Sequence, residues 1–493
     1  MTAPVRLAVR AAWLGFALAA IFFYPLVAAL DSDPYYLQWQ PAHTYEAGAA
    51  MVLIAIVLAG LLYAVLPRSS RRATVALGLI TLVPLLSLGA GLSRQLPIDD
   101  ELKGWWENPA IRFGVPAAVG LLVAAAFAFA PAAFNRGLQK LLLVLSPISL
   151  VVVMGLAGST SGPGAITAVN RLPAGAAVPA DQCPSIVALL FDELSFAYLY
   201  DGGNVRADYP AFRAFAGGAT NYLNVRAPGD ETMISVPGYL AARAFDNIRV
   251  EGTELQYEVG SERAPFVATQ PEGLFATARR VGFSPEIAGY YFPYCEMLGT
   301  LTDVCRSFSF YNISNASTGF SPLHPVVTTF VLWPRQFPLG LFKNPPFARL
   351  QRALVEATMA FAARPLDGAR PTFRFVHFSI PHLPFAFGPD GYDPPFNPLL
   401  QRPDTHYARQ VQYSDRLFGE LMAGMRTAGA YDRTTIVVFS DHGFRSGGRE
   451  TNSRHVPFIV KRAGQSAREE IAGQIGGEQL LRQLVAEGCS AQS

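Results

Sequence analysis

The chain has 493 residues, of which 51% are hydrophobic and 15% are charged, and its formal net charge at pH 7 is +2. Together with a positive mean hydropathy, this composition is too apolar for an ordinary globular protein of the same length. Lys and Arg do not cluster on any aromatic-rich module, so we set nucleic-acid binding aside.

Apolar, charge-free stretches dominate the N-terminal third of the chain. Each is close to the roughly 20 residues that span the hydrocarbon core of a bilayer. There are five of them, at 11–30, 47–66, 73–93, 113–134 and 141–158. The sequence therefore predicts a transmembrane domain of five helices over residues 1–158. An odd number of spans places the N-terminus and the long C-terminal part on opposite sides of the membrane.

The charges between these stretches predict the orientation in the membrane. One set of loops carries only positive charge, at Arg6, Arg10, Arg68, Arg71, Arg72, Arg136 and Lys140. The acidic residues fall in the alternate loops, at Asp31, Asp33, Glu46, Asp99, Asp100, Glu101 and Glu107. By the positive-inside rule, residues 159–493 should be extracytoplasmic, and the Ala-rich composition favours a multi-pass protein of a bacterial inner (cytoplasmic) membrane with a periplasmic domain. A cleaved signal peptide at 11–30 is the alternative, but it would leave four spans and break the charge pattern.

All four cysteines come after the apolar region, where an oxidising compartment permits disulfides. Cys295 and Cys305 lie in one loop and form the preferred pair, whereas Cys183 and Cys489 flank the domain and form a second candidate pair. None of the spacings has the close CxxC pattern of a thiolate zinc site.

Residues 159–182 are rich in Gly, Ala, Pro and Ser and predict a linker, which leaves 183–493 as the catalytic domain. Short buried strands and amphipathic helices alternate in this domain. The predicted strands are 186–191, 373–378 and 434–439, and the predicted helices are 271–281, 347–363 and 407–428. This pattern predicts an α/β domain with a mostly parallel central sheet covered by helices.

Polar residues follow each of the three predicted strands. Asp192-Glu193 follows the first, His382 follows the second, and Ser440-Asp441-His442-Gly443 follows the third. A single Asp after a strand is more often a turn or cap residue. Open α/β sheets, however, place their sites at the carboxyl ends of the strands, and carboxylate with imidazole is a good ligand set for zinc or manganese.

The segment 440–443, with His455 thirteen residues beyond His442, resembles the alkaline phosphatase and sulfatase superfamily, and the resemblance covers residues 183–462. Within it, five N-terminal spans before an outward catalytic domain resemble the lipid phosphoethanolamine transferases and the lipoteichoic acid synthases. The segment 229–237, GDETMISVP, is similar to the Thr-x-x-Ser-Val-Pro nucleophile segment of the phosphoethanolamine transferases. This resemblance implies that Thr232 is the nucleophile, whereas true sulfatases oxidise a Cys or Ser to formylglycine.

The chemistry of Thr232 is consistent with that role, because metal coordination can activate a hydroxyl that is a poor nucleophile at its free pKa. A helix predicted over 233–243 would add its N-terminal dipole. The alternative is that Thr232 is only the N-cap of this helix.

The resemblance further implies a divalent metal ion, zinc or manganese, held by Asp192 or Glu193 together with Thr232, Asp441 and His442. Asp192 is preferred as the first ligand because it directly follows its strand, although the Asp-Glu pair departs from the single Glu of the phosphoethanolamine transferases. His382 and His455 resemble the histidines that contact the phosphate or protonate the leaving group. For His377, inside its strand, a core histidine and a site residue are equally supported.

These inferences predict a metal-dependent membrane transferase that moves a phospholipid headgroup, phosphoethanolamine in preference to phosphoglycerol, to an extracytoplasmic glycan or lipid. The expected partners are the bilayer, a phospholipid donor and a glycan or lipid acceptor. The acceptor pocket is expected in the loops 245–270 and 305–345. A membrane-tethered phosphodiesterase or atypical sulfatase, with water as the acceptor, is the first alternative. An inactive relative that binds a partner is the second.

Overall fold

A computed structural model describes most of the chain and divides it into two compact units. The described residues are 2–32, 39, 41–68, 70–95, 118, 121, 125, 129–158, 183–251, 254–308, 321–332, 345–366, 370–392, 403–445 and 452–489. The first unit comprises Met1–Gly162 and Ser314–Pro346, and the second comprises Pro163–Ile313 and Phe347–Ser493. The predicted linker 159–182 lies outside the described residues.

The first unit is helical. Its helices are Ala3–Phe22, Tyr24–Ser32, Pro41–Val65, Arg71–Gln95, Pro131–Leu145, Ile148–Gly158 and Leu323–Val331. In the described part of the chain, four helical segments are long and apolar enough to cross a membrane, not the five that we predict from the sequence. These segments are Ala3–Phe22, His43–Val65, Arg71–Gly89 and Arg136–Gly158. Of the remaining predicted stretch, 113–134, the structure describes residues 118, 121, 125 and 129–134, and the rest lies outside the described residues.

The helices Ala3–Phe22 and Pro41–Val65 pack closely against each other at small residues. A Cβ atom added to Gly15 would lie 2.7 Å from the backbone nitrogen of Ala59, so only glycine lets the two backbones approach this closely. Leucines from several helices form a small core around the contact, among them Leu14, Leu18 and Leu62.

Part of the segment predicted to form acceptor loops belongs to this helical unit. The amide of Ser321 donates a 2.9 Å hydrogen bond to the carboxylate of Glu46. On the helix Leu323–Val331, the Phe330 ring packs edge-on against Phe22 with 5.2 Å between ring centroids. Residues 321–332 therefore pack on the apolar helices. The other predicted acceptor segment, 245–270, contains a small sheet of three strands, Asn247–Glu251, Glu254–Val259 and Glu262–Pro265.

The second unit is an α/β domain. Its strands are β1 (Ser185–Phe191), β2 (Tyr200–Asp201), β3 (Asn204–Val205), β4 (Thr220–Arg226), β5 (Asn247–Glu251), β6 (Glu254–Val259), β7 (Glu262–Pro265), β8 (Ser284–Tyr290), β9 (Val304–Phe308), β10 (Thr372–Phe378), β11 (Phe387–Gly388), β12 (Gly391–Tyr392), β13 (Thr434–Phe439), β14 (His455–Lys461), β15 (Glu469–Ile471) and β16 (Ile475–Gly476). Its helices are Phe196–Leu199, Pro210–Ala216, Thr232–Ala241, Leu274–Arg280, Tyr294–Leu298, the 3₁₀ turn Gly299–Leu301, Pro345–Ala362, Pro403–Thr427 and Gly477–Glu487.

The central sheet runs in the order β15-β4-β14-β13-β1-β10-β8-β9, with β16 beside β4. The run from β13 to β9 is parallel, whereas β14 is antiparallel to both β13 and β4. The three strands predicted from the sequence are β1, β10 and β13, and they are neighbours in the middle of the sheet. Their side chains are buried along almost their whole length, as expected for parallel strands covered on both faces.

Helices cover this sheet with the faces that the sequence predicts. The helix Pro403–Thr427 buries Val411, Phe418, Leu421 and Met422, which recur at helical spacing. Phe418 contributes to an aromatic cluster and stacks on Phe212 with 4.8 Å between ring centroids. The predicted helix-covered, mostly parallel sheet is therefore confirmed.

Both predicted disulfides are present. Cys183 and Cys489 join the two ends of the unit with a Cα–Cα distance of 4.8 Å. Cys295 and Cys305, whose Cα atoms are 5.6 Å apart, attach the short helix Tyr294–Leu298 to the edge strand β9.

Candidate active site

The predicted ligands converge because β1 and β13 are parallel neighbours in register. Leu190 lies opposite Phe439, so the residues after both strands emerge at the same edge of the sheet. The hydroxyl oxygen of Ser440 lies 2.8 Å from the carbonyl oxygens of both Phe191 and His442. Ser440 thereby ties the end of β13 to the end of β1 and holds the flanking carboxylates together.

The helix Thr232–Ala241 is fixed against the same edge by two side chains. Ser235 donates a 2.6 Å hydrogen bond to the carbonyl oxygen of Asp441, and Tyr239 donates one of 3.0 Å to that of Ser440. Residue 231 is the N-cap and the helix begins at Thr232 itself, so Thr232 is not the N-cap. Its hydroxyl is directed to the strand ends instead.

Thr232 Oγ1 lies among three buried ligand-type groups. It is 2.8 Å from Asp441 Oδ2, 3.4 Å from Asp192 Oδ1 and 3.3 Å from His442 Nε2. One ligand atom from each of Asp192, Asp441 and His442 lies within 4.8 Å of the others. The Nδ1 of His442 lies 2.9 Å from the Gly443 carbonyl, and donation to that carbonyl leaves the Nε2 lone pair directed at the group.

Two buried carboxylates in this group repel each other. Burial, followed by the negative charges of Asp441 and Glu193, holds the pKa of Asp192 well above its usual value. Burial also acts to raise the pKa of Asp441. The His442 and His377 imidazoles, together with hydrogen bonds from the Glu193 amide and the Thr232 hydroxyl, outweigh burial and lower this pKa. Ionisation of both carboxylates together would be favoured by a further positive charge beside them.

A divalent cation fits this requirement. Two carboxylates, one imidazole nitrogen with a free lone pair and one hydroxyl form a donor set of the kind that zinc and manganese accept. The cluster is thus a candidate metal centre, formed by four of the residues predicted from the sequence.

Glu193, the alternative first ligand, is turned away from the cluster. Its backbone lies in the left-handed region with φ 66°, and its N–H donates a 2.9 Å hydrogen bond to Asp441 Oδ1. Its carboxylate instead accepts a 3.2 Å hydrogen bond from the Arg445 amide. The structure therefore places the Asp192 carboxylate, and not that of Glu193, beside Thr232.

The two predicted proton-handling histidines have different surroundings. The His382 amide donates to the Asp192 carbonyl at 3.1 Å, and its ring centroid lies 6.4 Å from that of His442. His455, at the start of β14, stacks on Phe196 with 4.0 Å between centroids and places Nε2 2.9 Å from the Leu223 carbonyl. His382 lies at the cluster, whereas the contacts of His455 are with an aromatic ring and the backbone.

His377 is fully buried, and its ring lies next to the Asp192 carboxylate. Its Nδ1 lies 2.7 Å from the Tyr294 hydroxyl, and its Nε2 lies 3.9 Å from Asp192 Oδ2. Burial lowers the pKa of His377 to about 4, so the ring is neutral near pH 7.

Several supporting residues escape sequence reasoning. Gln410 is buried and donates to the carbonyls of Pro381 and His382 at 2.9 and 2.7 Å, which fixes the loop that carries His382. The Tyr407 hydroxyl donates a 2.6 Å hydrogen bond to the Glu193 carbonyl. Neither residue has a local signal, since each acts across a long stretch of chain. Tyr239 is the exception, because it lies seven residues after Thr232 and therefore on the same face of the helix.

Comparison with known proteins agrees with this geometry. The sequence model of the family described as Sulfatase matches residues 184–486. The chain belongs to the sulfatase family. The predicted resemblance to the alkaline phosphatase and sulfatase superfamily is thereby confirmed, while a search of curated protein sequences finds no match.

The solved structures that match the chain include a phosphonate monoester hydrolase, a lipoteichoic acid synthase and a putative sulfatase. The phosphonate monoester hydrolase of Agrobacterium radiobacter is 15% identical, with a TM-score of 0.39, over 61% of this chain and 73% of its own. The lipoteichoic acid synthase LtaP of Listeria monocytogenes is 13% identical, with a TM-score of 0.38, over 66% of this chain and 77% of its own. A putative sulfatase of Bacteroides thetaiotaomicron is 12% identical, with a TM-score of 0.41, over 62% and 71% respectively.

Proposed function

We propose that this sulfatase-family chain is a metal-dependent membrane transferase. It moves a phospholipid-derived headgroup, phosphoethanolamine in preference to phosphoglycerol, to an extracytoplasmic glycan or lipid through a phosphothreonine intermediate. The observation that carries the proposal is the Thr232 hydroxyl within 3.4 Å of Asp192, Asp441 and His442 in a buried site. Threonine cannot be converted to formylglycine, so this site favours attack by the hydroxyl itself.

Asp192, Asp441, His442 and Thr232 would hold the divalent ion, zinc or manganese. When bound, such an ion lowers the pKa of a coordinated hydroxyl and offsets the negative charge of a phosphate. The helix that begins at Thr232 adds the favourable field of its N-terminus, because its first amide groups and dipole attract anions.

The chain's own residues account for the two transfer steps. Thr232 Oγ1 forms the new bond to the headgroup phosphorus, and its proton passes to Asp441 Oδ2, with which it shares a 2.8 Å hydrogen bond. The bond between phosphorus and the diacylglycerol oxygen breaks, and His382 protonates that oxygen. An acceptor hydroxyl then attacks the phosphothreonine, gives its proton to His382, and displaces Thr232 Oγ1, which takes its proton back from Asp441 Oδ2.

The apolar unit keeps the enzyme with its lipid donor. Four segments apolar enough to cross a membrane precede the catalytic unit. The loop charges favour a periplasmic location of that unit at a bacterial inner membrane, a topology that requires the fifth predicted stretch, 113–134, to cross as well. Reporters that are active only outside the cytoplasm should therefore give signal when fused after residue 160. A strong signal from a cytoplasmic reporter at the same junction would contradict this topology.

The covalent intermediate provides the direct test. Mass spectrometry of the protein isolated without acceptor should find a headgroup-phosphate adduct on the peptide that contains Thr232. Thr232→Ala should lose both the adduct and transfer, whereas the matched control Thr232→Ser should retain a hydroxyl and form the adduct on serine. An alanine variant that retains transfer would exclude the mechanism.

A hydrolase is the second candidate, and membership of the sulfatase family supports it. The same residues would then act with water as the acceptor. Release of free headgroup phosphate by the intact enzyme, at the rate of donor consumption and without any acceptor, would favour this reaction over transfer. An inactive relative that binds a partner is disfavoured by the assembled ligand set, and metal analysis of the purified protein tests it.

A further inference from the structure

The two carboxylate oxygens of Asp192 have different neighbours. Oδ1 is the oxygen near the reacting group, 3.4 Å from Thr232 Oγ1 and 3.7 Å from His442 Nε2. Oδ2 faces the other way, 3.9 Å from His377 Nε2. His377 is therefore the side chain next to the oxygen of Asp192 that does not face Thr232.

His377 Nε2 is an unpartnered polar atom in a fully buried side chain. No hydrogen bond to it is found within the described residues, and the 3.9 Å contact with Asp192 is electrostatic because it exceeds hydrogen-bond length. The position is fixed by the sheet, since His377 lies opposite Leu190 in the register of β10 with β1, two residues before Asp192. A buried nitrogen aimed at a metal-ligand candidate calls for a functional explanation.

Tyr294 contacts the other nitrogen of the His377 ring, Nδ1. The Tyr294 hydroxyl lies 2.7 Å from His377 Nδ1, and the two rings meet edge to face. Room for this contact comes from Gly289 of β8, because a Cβ atom there would clash with the Tyr294 ring and lie 3.0 Å from His377 Cβ. The adjacent Cys295 is anchored twice, by its disulfide to Cys305 and by a 2.9 Å hydrogen bond from its amide to Ser307 Oγ.

When Asp192 is ionised, as a metal ligand must be, the polar groups Tyr294, His377 and Asp192 have one proton arrangement without a conflict. If Nδ1 carried the proton of the neutral ring, the Nε2 lone pair would face a carboxylate oxygen and be repelled. If Tyr294 donates its O–H to Nδ1, the ring proton lies on Nε2 and is attracted to Asp192 Oδ2.

We propose that His377 is a positioning residue, which holds Asp192 Oδ2 so that Oδ1 faces Thr232 and the metal, and that Tyr294 fixes the proton on His377 Nε2. This role rests on the metal-dependent site of the proposed function. It adds a supporting row that runs from the Cys295–Cys305 disulfide through Tyr294 and His377 to Asp192. Partners of this kind beyond the ligands orient them, and their loss typically weakens metal affinity by roughly 10–100-fold.

The test is titration of the full-length, detergent-solubilised and metal-stripped protein with Mn²⁺, alongside its thermal midpoint. His377→Phe keeps a ring of similar size but removes both nitrogens, and it should weaken Mn²⁺ affinity by about 10–100-fold. Tyr294→Phe should cause a smaller loss, because the Nε2 proton is then no longer fixed. His377→Gln should restore much of the affinity, since its amide N–H can reach the same position beside Asp192.

The double variant Tyr294→Phe with His377→Phe separates positioning from stability. It leaves no unpaired buried hydroxyl, so its thermal midpoint should recover relative to His377→Phe alone. Its Mn²⁺ affinity should remain weak. Recovery of both properties together, or Mn²⁺ affinity of His377→Phe within twofold of the unaltered protein, would overturn the positioning role.

Two further outcomes are decisive. Loss of one full equivalent of bound Mn²⁺ in His377→Phe would make His377 a ligand and would also overturn the proposal. The titration contains no lipid, so its result does not depend on the transfer mechanism. A missing Thr232 adduct would refute the transfer mechanism only. Unchanged Mn²⁺ affinity in His377→Phe would refute the positioning role only.

Discussion

The middle of the central sheet, at β13, and its antiparallel flank, at β14, each carry a histidine that the sequence predicts to be a site residue. The two histidines have different neighbours. At the end of β13, His442 Nε2 lies within 3.7 Å of two carboxylates and the Thr232 hydroxyl. At the start of β14, His455 is stacked on Phe196 and bonded to a backbone carbonyl. The spacing of a motif therefore identifies the strands, whereas the chemistry of each histidine depends on which side chains surround it.

The largest expected effect lies at the middle of the sheet. Asp441→Asn or His442→Ala should abolish both bound metal and activity, because a distant group cannot replace a buried ligand. Metal analysis of each purified variant provides the measurement. The exposed Asp390 offers a matched control, and Asp390→Asn should leave metal content unchanged. Full metal occupancy in both cluster variants would show that these residues are not ligands.

Two alanine variants test whether His382, at the cluster, and His455, at the antiparallel flank of the sheet, have different roles. His382→Ala should lower the rate of transfer by about 10²–10⁴-fold with metal retained, as expected on loss of a general acid. His455→Ala should act mainly on stability, lowering the free energy of unfolding by about 1–2 kcal/mol through loss of its ring contact and hydrogen bond. Initial rates and denaturant unfolding measure the two effects. Equal losses of rate at both positions would support the proton-handling role that the sequence predicts for His455.

Opening either of the two disulfides should lower the free energy of unfolding of the catalytic unit. Loop-closure entropy predicts a loss of roughly 2–3 kcal/mol for Cys295→Ser with Cys305→Ser, which open a loop of sequence separation 10. Opening the Cys183–Cys489 bond, with a separation of 306, should cost more, about 6 kcal/mol by the same relation. Unfolding free energies rank the pairs, and peptide mapping without reductant should recover each as a linked fragment. Free, alkylatable thiols in protein from the cell envelope would contradict the pairing.

Much of the fold follows from local sequence pattern. The three predicted strands and the helix predicted after residue 232 are present because hydrophobic runs and periodicity report burial without knowledge of the partner. The apolar N-terminal segments follow from length and composition in the same way, and four of them are described as helices. The helix Leu323–Val331 was not separable from the catalytic domain by sequence, since its place beside the apolar helices depends on contacts such as that between Ser321 and Glu46.

Some features of the site could likewise be predicted from the sequence, and others only from the tertiary structure. The sequence by itself determined the family, the strand ends at which Asp192, Asp441 and His442 emerge, and Thr232 as the hydroxyl in a recognisable segment. Only the folded chain decided between the two acids of the Asp-Glu pair, because the left-handed backbone of Glu193 turns its carboxylate towards Arg445.

The tertiary structure also decided which residues support the reacting groups. Tyr294 reaches His377, and Ser235 reaches Asp441, across 83 and 206 positions of sequence. A strand or helix pattern is a property of neighbouring residues and can be read along the chain. A hydrogen bond between distant side chains exists only once the sheet has aligned its strand ends, so no local pattern encodes it.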